Sequence, residues 1–261
     1  MATTQTLHRI RPGTTADITA ATNLYMQSFD KEKLLDFMFP GRHTDSTPFR
    51  MWIARRFLLR YWTPGYVLTM LDDPKGRPVA FTWWHIPDES LSFRQRWLSL
   101  RTSPYQTAMC SIFMSTALFQ NMIKLLTRPS FSDAWMTPIV RAVLKLHSFL
   151  FPIRGVDNHR LGIYDRVFST IEPDVLNSPR RRSAWYLSSL GVSPDVQGAG
   201  YGSLLLQHGL EAADRADVPT WLVGLRGLDN FYNRFGFVEV ARANIGELKD
   251  WDGGVIMFRG E

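Results

Sequence analysis

Apolar positions along the chain change period several times, and those changes divide it into elements. Residues 7–11 read as a short opening strand. After Pro12-Gly13, the run Thr14-Thr15-Ala16-Asp17 carries the side chains that cap a helix start, and Ile18, Ala21, Leu24, Tyr25 and Phe29 follow at helical spacing. A second amphipathic helix is predicted over 47–62, with Phe49, Trp52, Ile53, Phe57 and Leu58 as its stripe, and Pro64-Gly65 ends it. The β-rich runs 66–71 and 79–84 flank the turn Asp72-Asp73-Pro74-Lys75-Gly76, which predicts a hairpin.

Beyond Pro87 the pattern turns helical over about 90–155, including 107–126 and, after Thr137-Pro138, 139–151. A strand is predicted at 184–192 and an amphipathic helix at 203–216, with Leu204, Leu205, Leu206 and Leu210 on it. A buried strand at 220–225, a short helix at 230–234 and strands at 237–241 and 255–258 complete the pattern. There are no internal repeats and no Gly/Ser linker around the helical middle.

Composition narrows the classes. With 261 residues and 45% apolar content the chain has ample material for a core, so disorder is excluded. The opening residues are polar, and no run approaches the roughly 18 apolar residues a membrane-spanning helix needs, which leads us to expect a cytoplasmic protein with no membrane partner. Cys110 is the sole cysteine and sits in an apolar segment, so it reads as a buried thiol, and no disulfide forms within the chain. Six scattered histidines without paired cysteines offer no zinc-like spacing, so no metal is expected. The net charge of +6 is dispersed except at Arg55-Arg56 and Arg180-Arg181-Arg182, without the aromatic interleaving of a nucleic-acid binder; no nucleic-acid partner is expected.

One segment carries a chemical signal. In Gln197-Gly198-Ala199-Gly200-Tyr201-Gly202 the glycines let the backbone turn sharply and present amides outward, and a helix starts directly behind. A helix N-terminus joins unpaired N–H donors to a partial positive charge, which suits a phosphate or pyrophosphate. An ordinary tight strand-to-helix connection also favours glycine. Gly-x-Gly-x-Gly is one residue short of the dinucleotide fingerprint and lacks the Lys-Ser/Thr ending of a P-loop, so both of those readings fall away.

In its neighbourhood the turn resembles the GNAT superfamily of acetyltransferases, whose Arg/Gln-x-x-Gly-x-Gly/Ala signature is matched by Gln197, Gly200 and Gly202. Leu190-Gly191-Val192-Ser193-Pro194 resembles the family's strand and Val-x-Pro approach, and Tyr232-Asn233-Arg234-Phe235-Gly236-Phe237 its Tyr-x-x-x-Gly-Phe element. Ile10-Arg11-Pro12 with Ala16-Asp17 is similar to its opening. The likeness is specific over about 185–240, weaker over 7–86 and absent over about 90–180. It implies a single α/β domain across 1–261, with a mixed, splayed central sheet flanked by helices and a large helical insertion at about 90–180.

The resemblance further implies acetyl-CoA as acyl donor, with the backbone of Leu190 and Val192 pairing with the pantetheine arm and the pyrophosphate falling on the amides of 197–203, Ser203 included. Tyr232 resembles the tyrosine that protonates the departing thiolate. Its bland reading is aromatic packing beside Phe231 and Phe235. Relatives often carry Asn, Ser or Thr where this chain has Leu225; Asn230 is a candidate to make up that contact. No carboxylate lies within 185–192, so the general base is open among His85, Asp88, Glu89 and ordered water. The implied activity is direct acetyl transfer to the amine of a small molecule. Protein or peptide N-acetylation and a non-catalytic acyl-CoA sensor stand as rivals, and the oligomeric state is not legible.

Overall fold

The structure is a computed structural model that describes residues 8–88 and 137–261. Seven strands form one sheet: β1 (Arg9–Pro12), β2 (Tyr66–Asp72), β3 (Pro78–His85), β4 (Trp185–Val192), β5 (Thr220–Gly224), β6 (Val238–Arg242) and β7 (Val255–Arg259), in the order β1-β2-β3-β4-β5-β7-β6. All neighbours are antiparallel except β4 and β5, which run parallel. The predicted hairpin is β2–β3. Asp73 closes its turn by accepting from the amides of Lys75 and Arg77, each at 2.9 Å.

One side of the first half of the sheet is covered by α1 (Ile18–Ser28) and α3 (Thr47–Tyr61). Their buried Ala21, Leu24, Ile53 and Phe57 pack on Phe81 and Trp83 of β3. The alternate β3 positions Ala80 and Trp84 meet the opposite layer, α8 (Tyr201–Arg215), through Leu205, Leu206 and Leu210. This period of two explains why β3 is buried along most of its length. Gly209 lies on α8 where the helix crosses Trp84; a Cβ there would stand 2.3 Å from the indole nitrogen.

Between β3 and β4 the described chain is helical, as the pattern predicts for 139–151: α4 (Thr137–Leu150), α5 (Asn158–Leu161), α6 (Ile163–Val175) and α7 (Pro179–Arg182). The predicted helix 107–126 and Cys110 lie outside the described residues. α6 docks on the second half of the sheet through stacked rings, Tyr164 on Phe168 at 5.7 Å, Phe168 on Trp221 at 5.7 Å and Trp221 on Tyr186 at 4.2 Å. The short helix α9 (Asp229–Asn233) follows β5. Helix α2 (Lys33–Met38) was not foreseen: its N-cap is Glu32, a residue outside the usual capping set, so the local sequence carries no start signal.

The feature that makes room for a site is the parting of β4 from β5. Their pairing covers only Trp185–Leu187 against Thr220–Leu222. On the other side β4 stays paired to β3 as far as Val192, but Trp83 faces Ser189 while Trp84 faces Leu187, so Ser188 is an extra residue, a bulge. A bulge bends and twists the strand that carries it. From Ser188 onward β4 therefore diverges from β5, which stays paired along its length to β7.

Gly209→Ala places a methyl inside the Trp84 indole and should cost about 2 kcal/mol, seen as a melting temperature lower by about 6 °C in scanning calorimetry.

Candidate active site

Past the bulge β4 has one free edge. Ser193 donates its amide to the Val79 carbonyl at 2.8 Å, and the alternation of an antiparallel ladder then turns Gly191 and Ser189 toward β3. Leu190 and Val192 point their peptide groups the other way, into the gap. The Val192 carbonyl is already taken, accepting from Gln197 Nε2 at 3.0 Å and from Ser28 Oγ at 2.9 Å. The two predicted pantetheine positions are thus unequal: Leu190 offers its whole peptide edge, Val192 only its N–H. Gln197 serves the turn through its side chain, tying it back to β4.

Gly198 and Gly200 have φ of 85° and 87°, in the left-handed region, and a Cβ at either would meet nothing within 4 Å. Glycine is thus required there by backbone conformation, and the space above the turn is open to a ligand. Gly200 is the N-cap of α8, and no side chain caps that end, so the first helical amides at Tyr201, Gly202 and Ser203 lack intrahelical partners. Gly202 differs: its Cβ position lies 3.4 Å from Val192 Cγ2, in ordinary contact. This is a ready cradle for a pyrophosphate.

The turn opens into a cleft of about 730 Å³ that runs between β4 and the β5–α9 segment. Every predicted cofactor residue lines it except Ala199 and Asn230. At its inner end the cleft meets a second cavity, of about 150 Å³, in the notch between the parted strands. The wall common to both consists of Phe29, Glu32, Leu190, Leu225, Leu228 and Tyr232. A thioester reaching inward from the turn would arrive here.

Two of these six residues can move protons. Tyr232 is buried, 7% exposed, and packs edge-on against Phe231 and Phe237. Burial pushes its hydroxyl well above the usual phenol range, with a smaller push from Tyr186, so it stays protonated at neutral pH. Among the described residues its hydroxyl has no hydrogen-bond partner. The second residue is Glu32. Burial raises its carboxyl above the ordinary range, opposed by hydrogen bonds from the Leu34 amide and the Trp251 indole. Both bonds fall on Oε1, at 3.1 and 2.6 Å, which leaves Oε2 unengaged.

Glu32 is held by its surroundings. Buried Arg42 donates to the carbonyls of Phe29 at 3.3 Å, of Glu32 at 3.3 Å and of Asp30, and to Asp36 Oδ1 at 2.7 Å. It thereby fixes the connection from α1 into α2. Sequence reasoning missed Glu32 as a candidate because it sought a carboxylate on or beside the central strands, whereas this one arrives from a turn some 150 residues before β4. No local signal marks it.

His85 is not brought into the site. Its ring lies on Tyr66 at 4.5 Å, it lines neither cavity, and burial lowers its imidazole below the usual range. The reason is register: His85 closes β3 opposite Tyr66 and Tyr186, at the end of the strand remote from the turn. Asp88 lies three residues further on, lines neither cavity, and Glu89 falls outside the described residues. Asn230 is exposed on α9 and does not line the cleft, because it sits two residues before Tyr232, on another side of the helix. Arg226 is exposed and pairs with Asp252 at 3.0 Å on the rim of the cleft. Among the described residues no three His, Cys, Asp or Glu side chains converge as a metal site, and no helix is long and apolar enough to cross a membrane.

Residues 167–239 match the family model of the acetyltransferase (GNAT) domain, a span that takes in β4, the turn, α8, β5 and Tyr232. Among solved structures the chain is similar to one described as histone acetyltransferase HPA2 and related acetyltransferase from Corynebacterium glutamicum: 16% identity, 97% of this chain and 95% of that one covered, TM-score 0.54. A looser similarity is to PaiA N-acetyltransferase of Thermoplasma acidophilum in complex with coenzyme A, at 9% identity, 97% and 98% coverage and TM-score 0.45. The first likeness establishes that the mixed, splayed sheet is the GNAT fold.

Gly200→Ala should cost about 1 kcal/mol of stability through its left-handed backbone and, by placing a methyl in the open cradle, weaken coenzyme A binding about tenfold in calorimetric titration.

Proposed function

On the premise that this chain carries a GNAT acetyltransferase domain, we propose that it transfers an acetyl group from acetyl-CoA directly to the amine of a small molecule. The observation that supports this most is the junction of a long phosphate-ready cleft with a small cavity, and the presence at that junction of one carboxylate and one protonated phenol. The cavity is walled by α1, α2, α6, β4 and β5. At about 150 Å³ it suits a small acceptor better than a peptide chain passing through.

In this reading Glu32 Oε2 takes the proton from the acceptor ammonium, and the freed nitrogen attacks the thioester carbonyl carbon. The C–N bond forms, the tetrahedral oxyanion collapses and the C–S bond breaks. The thiolate leaves toward Tyr232, whose hydroxyl hydrogen-bonds to the sulfur and supplies its proton; the proton shed by the new amide restores the balance. A phenol with a raised pKa is a weak acid, but a thiolate released into the same dry junction is made more basic by the same desolvation, so the two remain matched. The raised Glu32 carboxyl is likewise better suited to accept a proton than an exposed one. The turn at 197–203 would hold the pyrophosphate, and Leu190 the pantetheine amide.

Glu32→Gln should lower kcat about a hundredfold or more while leaving the KM for acetyl-CoA close to that of the parent. Glu32 must be ionised to act and its carboxyl is raised, so the parent's kcat/KM should fall as pH drops through a midpoint above the ordinary carboxylate range. That midpoint should be the same for acceptors of different amine pKa and absent from the variant. A midpoint that follows the acceptor's own pKa would reject Glu32 as base. Tyr232→Phe should slow the chemical step about tenfold or more in single-turnover quench experiments; an unchanged rate would remove its role as acid. Thiol release measured with amines and with peptides separates the small-molecule reading from peptide acetylation, and tight coenzyme A binding without turnover on either would identify a sensor.

A further inference from the structure

The notch cavity continues past the site into a third pocket, of about 90 Å³, with Tyr25, Tyr164, Ser188 and Ser189 lining both. Its far wall is α3, which presents Arg56 and Arg60 there. One helical turn separates these residues, so their guanidinium groups rise from the same face of the helix. Arg60 is half-buried and rests against rings, its Cζ 5.4 Å from the Tyr66 centroid and 5.8 Å from that of Phe57; Arg56 lies 4.9 Å from Trp52.

Among the described residues neither arginine makes an ion pair or donates a hydrogen bond. The one carboxylate on this wall, Asp165, is exposed and pairs with neither. Burial, and then the positive charge of Arg56, pull the Arg60 guanidinium down to about 10, which leaves it charged at neutral pH. Two like charges on one turn, one of them withdrawn from water, oppose each other unless an anion enters between them. The rest of the lining is mostly apolar, Leu34, Leu35, Met38 and Ile53 among it, with the hydroxyls of Tyr25, Tyr164 and Ser188 as further polar groups. The Tyr164 hydroxyl is engaged by Tyr186, but two guanidinium groups without a carboxylate partner, on an otherwise apolar wall, form a site for an oxyanion, and guanidinium is the group whose planar fork matches one.

We propose that Arg60, supported by Arg56, binds an anionic group at the far end of the acceptor, so that the acceptor is an amine that also bears a carboxylate or a phosphate. This rests on the acetyl-transfer reading for the position of the amine at Glu32 and Tyr232, with the anion held at the opposite end of the joined cavities. The two cavities together have room for a molecule of amino-acid size.

The test compares matched acceptors whose two groups are separated by a chain: 5-aminopentanoate with 5-aminopentanamide, and 3-aminopropyl phosphate with 3-aminopropanol, each followed by thiol release for the parent and for Arg60→Met and Arg60→Lys. The parent should favour the anionic member of one pair by about thirtyfold or more in kcat/KM, carried by KM, and which pair does so tells carboxylate from phosphate. In Arg60→Met that ratio should collapse toward one, with Arg60→Lys retaining part of it. A parent indifferent to the anion, or an Arg60→Met variant in which both members of a pair decline alike, would overturn the subsite and leave acetyl transfer standing. If no amine releases thiol, the transfer reading fails by itself. The subsite is then decided by calorimetric titration of 5-acetamidopentanoate and of 3-acetamidopropyl phosphate against their neutral counterparts, in the presence of coenzyme A. Tighter binding of an anionic member supports it, and equal or absent binding rejects it. Should Arg60→Met not fold, the parent's selectivity and the same titration decide alone.

Discussion

The structure depends on one interruption, the single extra residue in β4 at Ser188. Because Trp83 pairs with Ser189 and Trp84 with Leu187, the strand must bend there, and β5, held along its length by β7, does not follow. Everything that serves the site uses the resulting gap. The free peptide edge of Leu190 exists because no neighbour completes the ladder. The cleft leads from the glycine turn into the notch, and the walls of the notch come from helices that pack over the gap without filling it. A continuous sheet at this point would bury the same residues and leave no site.

The gap is shaped from two sides by parts of the chain far apart in sequence. From the first half, Arg42 gathers the carbonyls between α1 and α2 and so sets Glu32 at the junction, while Ser28 ties the end of α1 to Val192. From the second half, Trp251 donates to Glu32 and Tyr164 of α6 lines the cavity from above. The carboxylate is buried enough to raise its pKa yet keeps one oxygen free, a balance that two fixed donors on the other oxygen maintain. Tyr232 reaches the same point from α9 with its hydroxyl unpartnered among the described residues. The phenol and the carboxylate thus belong to opposite ends of the chain and line one junction because the strands part.

Character changes along the joined cavities. The cleft begins at backbone amides, narrows to a junction of leucines and rings with Glu32 and Tyr232, and ends in a largely apolar pocket at which α3 presents two guanidinium groups. The glycine turn, the most conspicuous element of the chain, lies at the other end from that pocket.

Much of the strand and helix pattern was legible in the chain, because amphipathic periods and turn chemistry are local: the β2–β3 hairpin, α1, α3, α8 and the strands of the second half stand close to where the periods put them. The glycine turn was legible for the same reason, since left-handed backbone at Gly198 and Gly200 demands glycine whatever surrounds it. Helix α2 was not, because its cap is a glutamate. Glu32 was not, because its place at the junction and its raised carboxyl come from Arg42, Trp251 and burial, none of which is its neighbour in sequence. That His85 lies away from the gap was not legible either, since register decides which strand end faces it. The sequence by itself determined the elements and the left-handed glycine turn, which follow from each residue's own conformational limits. Only the tertiary structure decided where the sheet opens and which titratable groups meet there, because desolvation and contact are properties of the packed chain and not of any segment of it.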